Sequence, residues 1–203
     1  MRDSRKILFV VNVDWFFVSH RLPIAIKAIA DGYDVHVATS YTNHRQYLES
    51  LGIVTHIAYF NRSKPSVIGL LDLFLLFFRL SPSIVHLITM QPIILGGFLS
   101  FVFPRTSYVY SISGFGHVFY ANSMSAKIRR AAVSFLYYLS LHLSSRKHII
   151  VQNERDYNFV LSLLIDKSLV TKIPGSGVDT TQLTPTPIPP NPPVLIFISR
   201  LLY

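Results

Sequence analysis

Residues 6–39 read KILFVVNVDWFFVSHRLPIAIKAIADGYDVHVAT. Lys6–Val13 is an almost continuous apolar run, rich in Val, Ile and Phe, and predicts a strand buried on both faces. His20–Gly32 predicts a helix, with Pro23 in its first turn and Gly32 at its end, the positions where proline and glycine are best tolerated. Asp34–Thr39 predicts a second strand, with Val35 and Val37 as its apolar side. Strand, helix, strand in this order opens an alternating α/β chain.

The alternation continues. Helices are expected at Asn43–Leu51, Ser66–Leu80 (Ser66 as a possible N-cap), Pro92–Val102, Ser123–Leu143 and Glu154–Leu164. Strands are expected at Ile53–Tyr59, Ile84–Ile88, Ser107–Ile112, His148–Val151 and Leu169–Ile173. On the long helix, Ile128, Ala132, Phe135, Leu136, Leu139 and Leu143 form the expected apolar face. The implied fold class is α/β, a Rossmann-like parallel sheet with helices on both faces, spanning residues 1–179. Residues 180–193, TTQLTPTPIPPNPP, read as a stiff Pro-rich linker. Residues 194–203 open on Val194–Ile198, which reads as the first strand of something further.

Composition narrows the classes of function. The chain has 203 residues, 50% of them hydrophobic and 14% charged, which suits a large core and not a disordered chain. Neither Val67–Leu80 nor Ile88–Phe103 reaches the roughly 20 apolar residues that span a bilayer. The first residues do not make a secretory leader. There is no cysteine, so disulfides and thiolate chemistry are excluded, in keeping with the cytoplasm. No HExxH or other metal-ligand spacing occurs. A net charge of +9 fits a phosphorylated substrate or an anionic membrane surface. No nucleic-acid signature accompanies it.

In an open parallel sheet, ligands bind beyond the carboxyl ends of the strands. The segments expected there carry His20, Arg21, Gln91, Ser113, Gly114, Gly116 and His117, with Gln152–Arg155 and Pro174–Asp179 on the same rim. Gly114-Phe-Gly116 and Gly175-Ser-Gly177 are incomplete as dinucleotide fingerprints, and there is no GxxxxGK phosphate loop. His20 is placed to hold an anionic or hydroxyl-rich ligand, or only to cap its helix. His36, His56 and His86 fall inside strands and read as sheet residues with satisfied nitrogens. Asp179 and Gly175 read most simply as turn residues.

Several motifs together resemble one family. The 6–39 segment, VHLITMQPIILGG, SISGFGHVF, VQNERD and IPGSGVDT follow the order and spacing of family 4 glycosyltransferases. More narrowly, they resemble the bacterial group that builds surface polysaccharides and polyprenyl-diphosphate-linked oligosaccharides such as O-antigen. The resemblance implies the N-terminal, acceptor-side half of a GT-B fold, covering residues 6–200. It implies retaining transfer of a hexosyl or N-acetylhexosaminyl group from a nucleotide-sugar, used as co-substrate, with no cofactor and no metal. The acceptor would be a lipid-linked glycan at the inner face of the cytoplasmic membrane. By motif position His20, Arg21, Gln91, Ser113, Gly114, Gly116 and His117 would lie near the cleft. Arg200 would match the arginine that grips the donor diphosphate, where leaving-group charge develops. No catalytic base is named. The lysine and glutamates that complete the donor site in the family have no counterpart here, so the chain is expected to be a C-terminally truncated, inactive half. The alternatives are one part of a split enzyme, or a non-catalytic module that binds lipid or a partner.

Overall fold

The structure is a computed structural model that describes residues 5–60, 67–114 and 124–178, with scattered positions after 179. Seven strands form one sheet: β1 (Lys6–Val13), β2 (Asp34–Ser40), β3 (Val54–Ile57), β4 (Ile84–Ile88), β5 (Ser107–Ile112), β6 (Lys147–Val151) and β7 (Val170–Lys172). Their order is β3-β2-β1-β4-β5-β6-β7, and every pairing is parallel. The intervening helices are α1 (Asp14–His20), α2 (Leu22–Ala30), α3 (Arg45–Ser50), α4 (Val67–Leu80), α5 (Met90–Leu99), α6 (Met124–Leu143) and α7 (Glu154–Ser162). The expected Rossmann-like α/β fold is the observed one. Of the expected strand at Val194–Ile198, only Ile196 and Phe197 are among the described residues, and both are exposed and in no strand; the N-cap at Ser66 lies outside the described residues.

The sequence reverses direction across the sheet once. The chain steps from β1 outward to β2 and β3, then returns past β1 to β4 and proceeds to β7. Parallel crossovers are right-handed, so the reversal moves the connecting helices to the other face. Two separate cores result. Phe17, Ala25, Ala28 and Leu48 from α1–α3 pack on Phe9, Val11, Val35 and Val37. Leu73 and Phe77 of α4, Leu95 and Leu99 of α5, Tyr137 and Leu141 of α6 and Val160 of α7 pack on Leu8, Val10, Leu87, Tyr108 and Tyr110. Phe77 is fully buried, and burial of that size contributes about 2–3 kcal/mol per side chain.

Three local expectations are corrected. The stretch from Asp14 to His20, expected as a loop, is helical, so His20 closes α1 instead of opening a helix. The chain breaks at Arg21, and α2 restarts with Pro23 in its first turn. On α6 the buried face is Ala126, Tyr137, Ser140 and Leu141, whereas Ile128 and Phe135 are exposed. The reason lies on α5: a Cβ on Gly97 would stand 2.5 Å from the Ser140 Cβ, so the two helices meet through small residues. Ser140 Oγ donates to the Ile94 carbonyl at the same crossing, 3.1 Å. Helix α4 covers the sheet with Leu73, Phe77 and Leu80, yet its outer side is also apolar, with Ile68, Leu71 and Phe78 exposed. No helix among the described residues is long and apolar enough to cross a membrane.

Gly97→Ala is expected to force α5 and α6 apart, because the Ser140 backbone as well as its Cβ stands in the way. Denaturant unfolding should show a loss of about 2 kcal/mol.

Candidate functional site

The reversal leaves a crevice between the carboxyl ends of β1 and β4, where neighbouring connections lead to opposite faces. Asp14, the first residue after β1, is fully buried. Its carboxylate accepts hydrogen bonds from the backbone N–H groups of Trp15 (2.8 Å), Thr42 (2.8 Å), Asn43 (3.1 Å) and His44 (2.9 Å). The Thr42 hydroxyl donates a further one at 2.7 Å. Burial by itself would raise the pKa of Asp14, but these donors outweigh it, the Thr42 hydroxyl foremost, and hold it at about 2. The carboxylate is consumed in fastening the loop after β2 to the end of β1, so it positions the rim and does not present an acid or base to a ligand.

Arg21 sits at the break between α1 and α2 and is 5% exposed. Its Nη1 donates to the His20 carbonyl (3.0 Å) and to Ser176 Oγ (2.9 Å), while its Nε has no partner. No carboxylate pairs with it among the described residues. Burial lowers its pKa from the ordinary arginine value. A guanidinium remains charged regardless, so an uncompensated cation is held in a low-dielectric setting. His86, buried in the middle of β4, feels that charge: burial first, and Arg21 second, push its pKa down to about 3. It is therefore neutral, with Nε2 2.7 Å from Ser111 Oγ on β5.

The opening of α5 completes the crevice. Thr89 has φ 72° and ψ 163°, a conformation normally reserved for glycine, and its hydroxyl is buried without a partner. Gln91 follows it, half-buried, in the first turn of α5. Ser113 and Gly114 lie just beyond β5, next to β4 in the sheet. Gly114 has φ +93°, which only glycine adopts freely, and its N–H is bonded to the Asp156 carboxylate. Asp156 is in turn held by Asn153, which caps α7: Asn153 Oδ1 accepts from the Asp156 N–H at 2.8 Å. The VQNERD segment thus fixes the loop after β5.

The topology brings His20, Arg21, Gln91, Ser113 and Gly114 to the carboxyl ends of three adjacent strands. Gly116, His117 and Arg200 lie outside the described residues. His20 stacks on Phe16, with ring centroids 4.3 Å apart, and its Nδ1 is 2.6 Å from Ser19 Oγ. His36 Nδ1 and His56 Nε2 meet at 2.9 Å across β2 and β3, so these two, like His86, are partnered sheet residues. Three features were not singled out from sequence. The Asp14 clamp has only the acceptor chemistry of an aspartate following a strand as its signal. The strain at Thr89 has none. Neither has the contact of Arg21 with Ser176, 155 positions apart, in the loop that returns from β7 across the rim.

Residues 6–153 match the family model described as glycosyl transferase 4-like. No curated protein sequence matches the chain. Among solved structures, Anabaena HepE in complex with UDP and glucose is similar, with TM-score 0.57 and 16% identity over 87% of this chain and 46% of that one. A putative UDP-N-acetylglucosamine 2-epimerase from Listeria monocytogenes has TM-score 0.57 and 11% identity over 82% of this chain and 44% of that one. UDP-N-acetylglucosamine 2-epimerase from Rickettsia bellii gives 0.57 and 12%, over 85% and 45%. The chain spans less than half the length of these structures, and the likeness is one of fold.

Two outcomes test this geometry. Because the pKa of Asp14 is about 2 in the fold against 3.8 in an unfolded chain, its stabilisation is complete above that higher value and is lost as pH falls towards 2. Asp14→Asn should therefore lower stability by about 2 kcal/mol at neutral pH. The gap from the wild type should close on acidification, as read by urea unfolding at a series of pH values. Thr89→Gly should relieve the strained backbone and raise stability by about 1 kcal/mol, read as a higher denaturant midpoint.

Proposed function

Since the chain belongs to the glycosyl transferase 4-like family, we propose that it forms the acceptor-side domain of a glycosyltransferase. On this reading the enzyme transfers a hexosyl or N-acetylhexosaminyl group from a nucleotide-sugar, with retention of configuration, to a lipid-linked or growing glycan at the inner face of the cytoplasmic membrane. The observation that carries the reading is Arg21, a buried guanidinium with no carboxylate partner among the described residues, at the switch point of the sheet. Such a group is stabilised by an incoming anion, and its fork matches the paired oxygens of a phosphate. A lipid-linked glycan carries that charge in its diphosphate.

On this reading each rim residue has a chemical role. Arg21 anchors the acceptor phosphate. His20, Gln91 and Ser113 supply hydrogen bonds to sugar hydroxyls along the crevice, and Gly114 lets a ligand approach the backbone. Their contribution is orientation: the attacking hydroxyl is held against the donor's anomeric carbon while the nucleoside diphosphate leaves. Arg200, by its motif, offers positive charge to that leaving diphosphate. The epimerases share the fold; the family match over residues 6–153 supports transfer.

The test is calorimetric titration of the chain with a polyprenyl-diphosphate acceptor analogue and, separately, with UDP-sugars. The acceptor analogue is expected to bind, and Arg21→Gln to weaken it by about tenfold or more. That variant should keep the wild-type melting temperature, because it removes an uncompensated charge as well as two hydrogen bonds. Tight UDP-sugar binding that is indifferent to Arg21, with no acceptor binding, would overturn the assignment.

A further inference from the structure

The opposite end of the sheet carries a second cationic site. A cleft of about 770 Å³ opens at the amino ends of β1, β4 and β5, a full strand length from Arg21. Three arginines line it: Arg5 just before β1, Arg105 just before β5 and Arg146 just before β6. Arg146 Nη1 donates to the Arg105 carbonyl at 3.2 Å, which ties two of the three segments together along one wall. Ser83, Ser107 and Tyr33 add hydroxyls to the lining. Among the described residues, no acidic side chain lines the cleft.

That absence is not for want of carboxylates in the fold. The described ones are bonded elsewhere: Asp31 to Lys27, Asp34 to His36, Glu49 to Arg45, Asp72 to the Tyr59 N–H and Glu154 to Lys172. Asp14, Asp156 and Asp166 accept from backbone N–H groups. Three like charges on one cleft repel one another, and a concave site whose described lining carries no counter-charge focuses their field. A multiply charged anion removes the repulsion, and phosphate oxygens suit guanidinium forks and hydroxyl donors together.

We propose that this cleft binds a phosphate or diphosphate group through Arg5, Arg105 and Arg146, independently of the crevice at the carboxyl rim. Its border is apolar. Val102 and Phe103 form part of the wall, Phe101 is 72% exposed beside them, and Phe74 of α4 packs on Phe103 with centroids 5.8 Å apart. A soluble phosphorylated compound and a phospholipid headgroup both present this chemistry, the second with acyl chains for the apolar border.

The experiment titrates the full chain with pyrophosphate, and measures its co-flotation with phosphatidylcholine vesicles with and without phosphatidylglycerol. Arg105→Gln combined with Arg146→Gln is expected to weaken binding of whichever probe is held by about tenfold or more. Arg129→Gln, an exposed arginine on α6, should change nothing, and Arg21→Gln should leave this site intact even where it abolishes acceptor binding. Arginine-dependent pyrophosphate binding without vesicle binding identifies a soluble phosphate ligand. Arginine-dependent flotation with phosphatidylglycerol identifies a headgroup. Arg105→Lys retains the charge without the fork, and a severalfold loss at unchanged melting temperature keeps the test valid should the double variant fold poorly. Equal binding by wild type and double variant, or no binding of either probe by the wild type, overturns the proposal.

Discussion

The handedness of parallel crossovers is the constraint on which this molecule depends. A chain that keeps stepping in one direction across a sheet lays all its helices on one face. Here the step reverses after β3, so α1–α3 and α4–α7 take opposite faces and the connections diverge between β1 and β4. The crevice is therefore not carved by side chains. It follows from topology, and the side chains furnish it.

Two buried carboxylates furnish it in the same way. Asp14 gathers the backbone donors of the loop after β2, and Asp156 takes the N–H of Gly114 after β5. Each turns an otherwise free loop into a wall of fixed position, at the expense of a charge taken from solvent. Arg21 differs because its own partners, a carbonyl and a hydroxyl, are neutral. The two aspartates are fully engaged within the fold, and the arginine is left electrostatically open. That contrast separates the framework of the rim from the group available to a ligand.

Much of this was legible in the residues. Lys6–Val13, Ile84–Ile88 and Ser107–Ile112 have the predicted bounds, because strands buried on both faces are continuously apolar and stop where polarity begins. Helix α1 was hidden for a related reason: Trp15, Phe16 and Phe17 carry no helical periodicity, and the acidic residue that opens the helix is occupied with another loop. On α6 two apolar stripes compete. The fold buries the one containing Ser140, since only a small residue fits against Gly97, and pattern alone favours the greasier stripe. For the rim, the strand ends pointed to Arg21 and His20, but burial and the absence of a counter-charge depend on contacts between distant segments. The amino-end cleft joins residues 5, 105 and 146, each unremarkable in its own neighbourhood.

The bond between Arg21 and Ser176 couples two parts of the chain that are otherwise separate. Ser176 belongs to the segment that leaves β7 and leads towards the Pro-rich stretch, and its hydroxyl accepts from the same Nη1 group that bonds the His20 carbonyl. A ligand that draws this nitrogen away releases the exit segment, and a pull on the exit segment frees the nitrogen. Linkage makes the two effects equal in magnitude. One hydrogen bond to a charged group is worth about 1.5–3 kcal/mol, so occupancy of the crevice and the direction in which the chain departs can bias one another by tenfold or more.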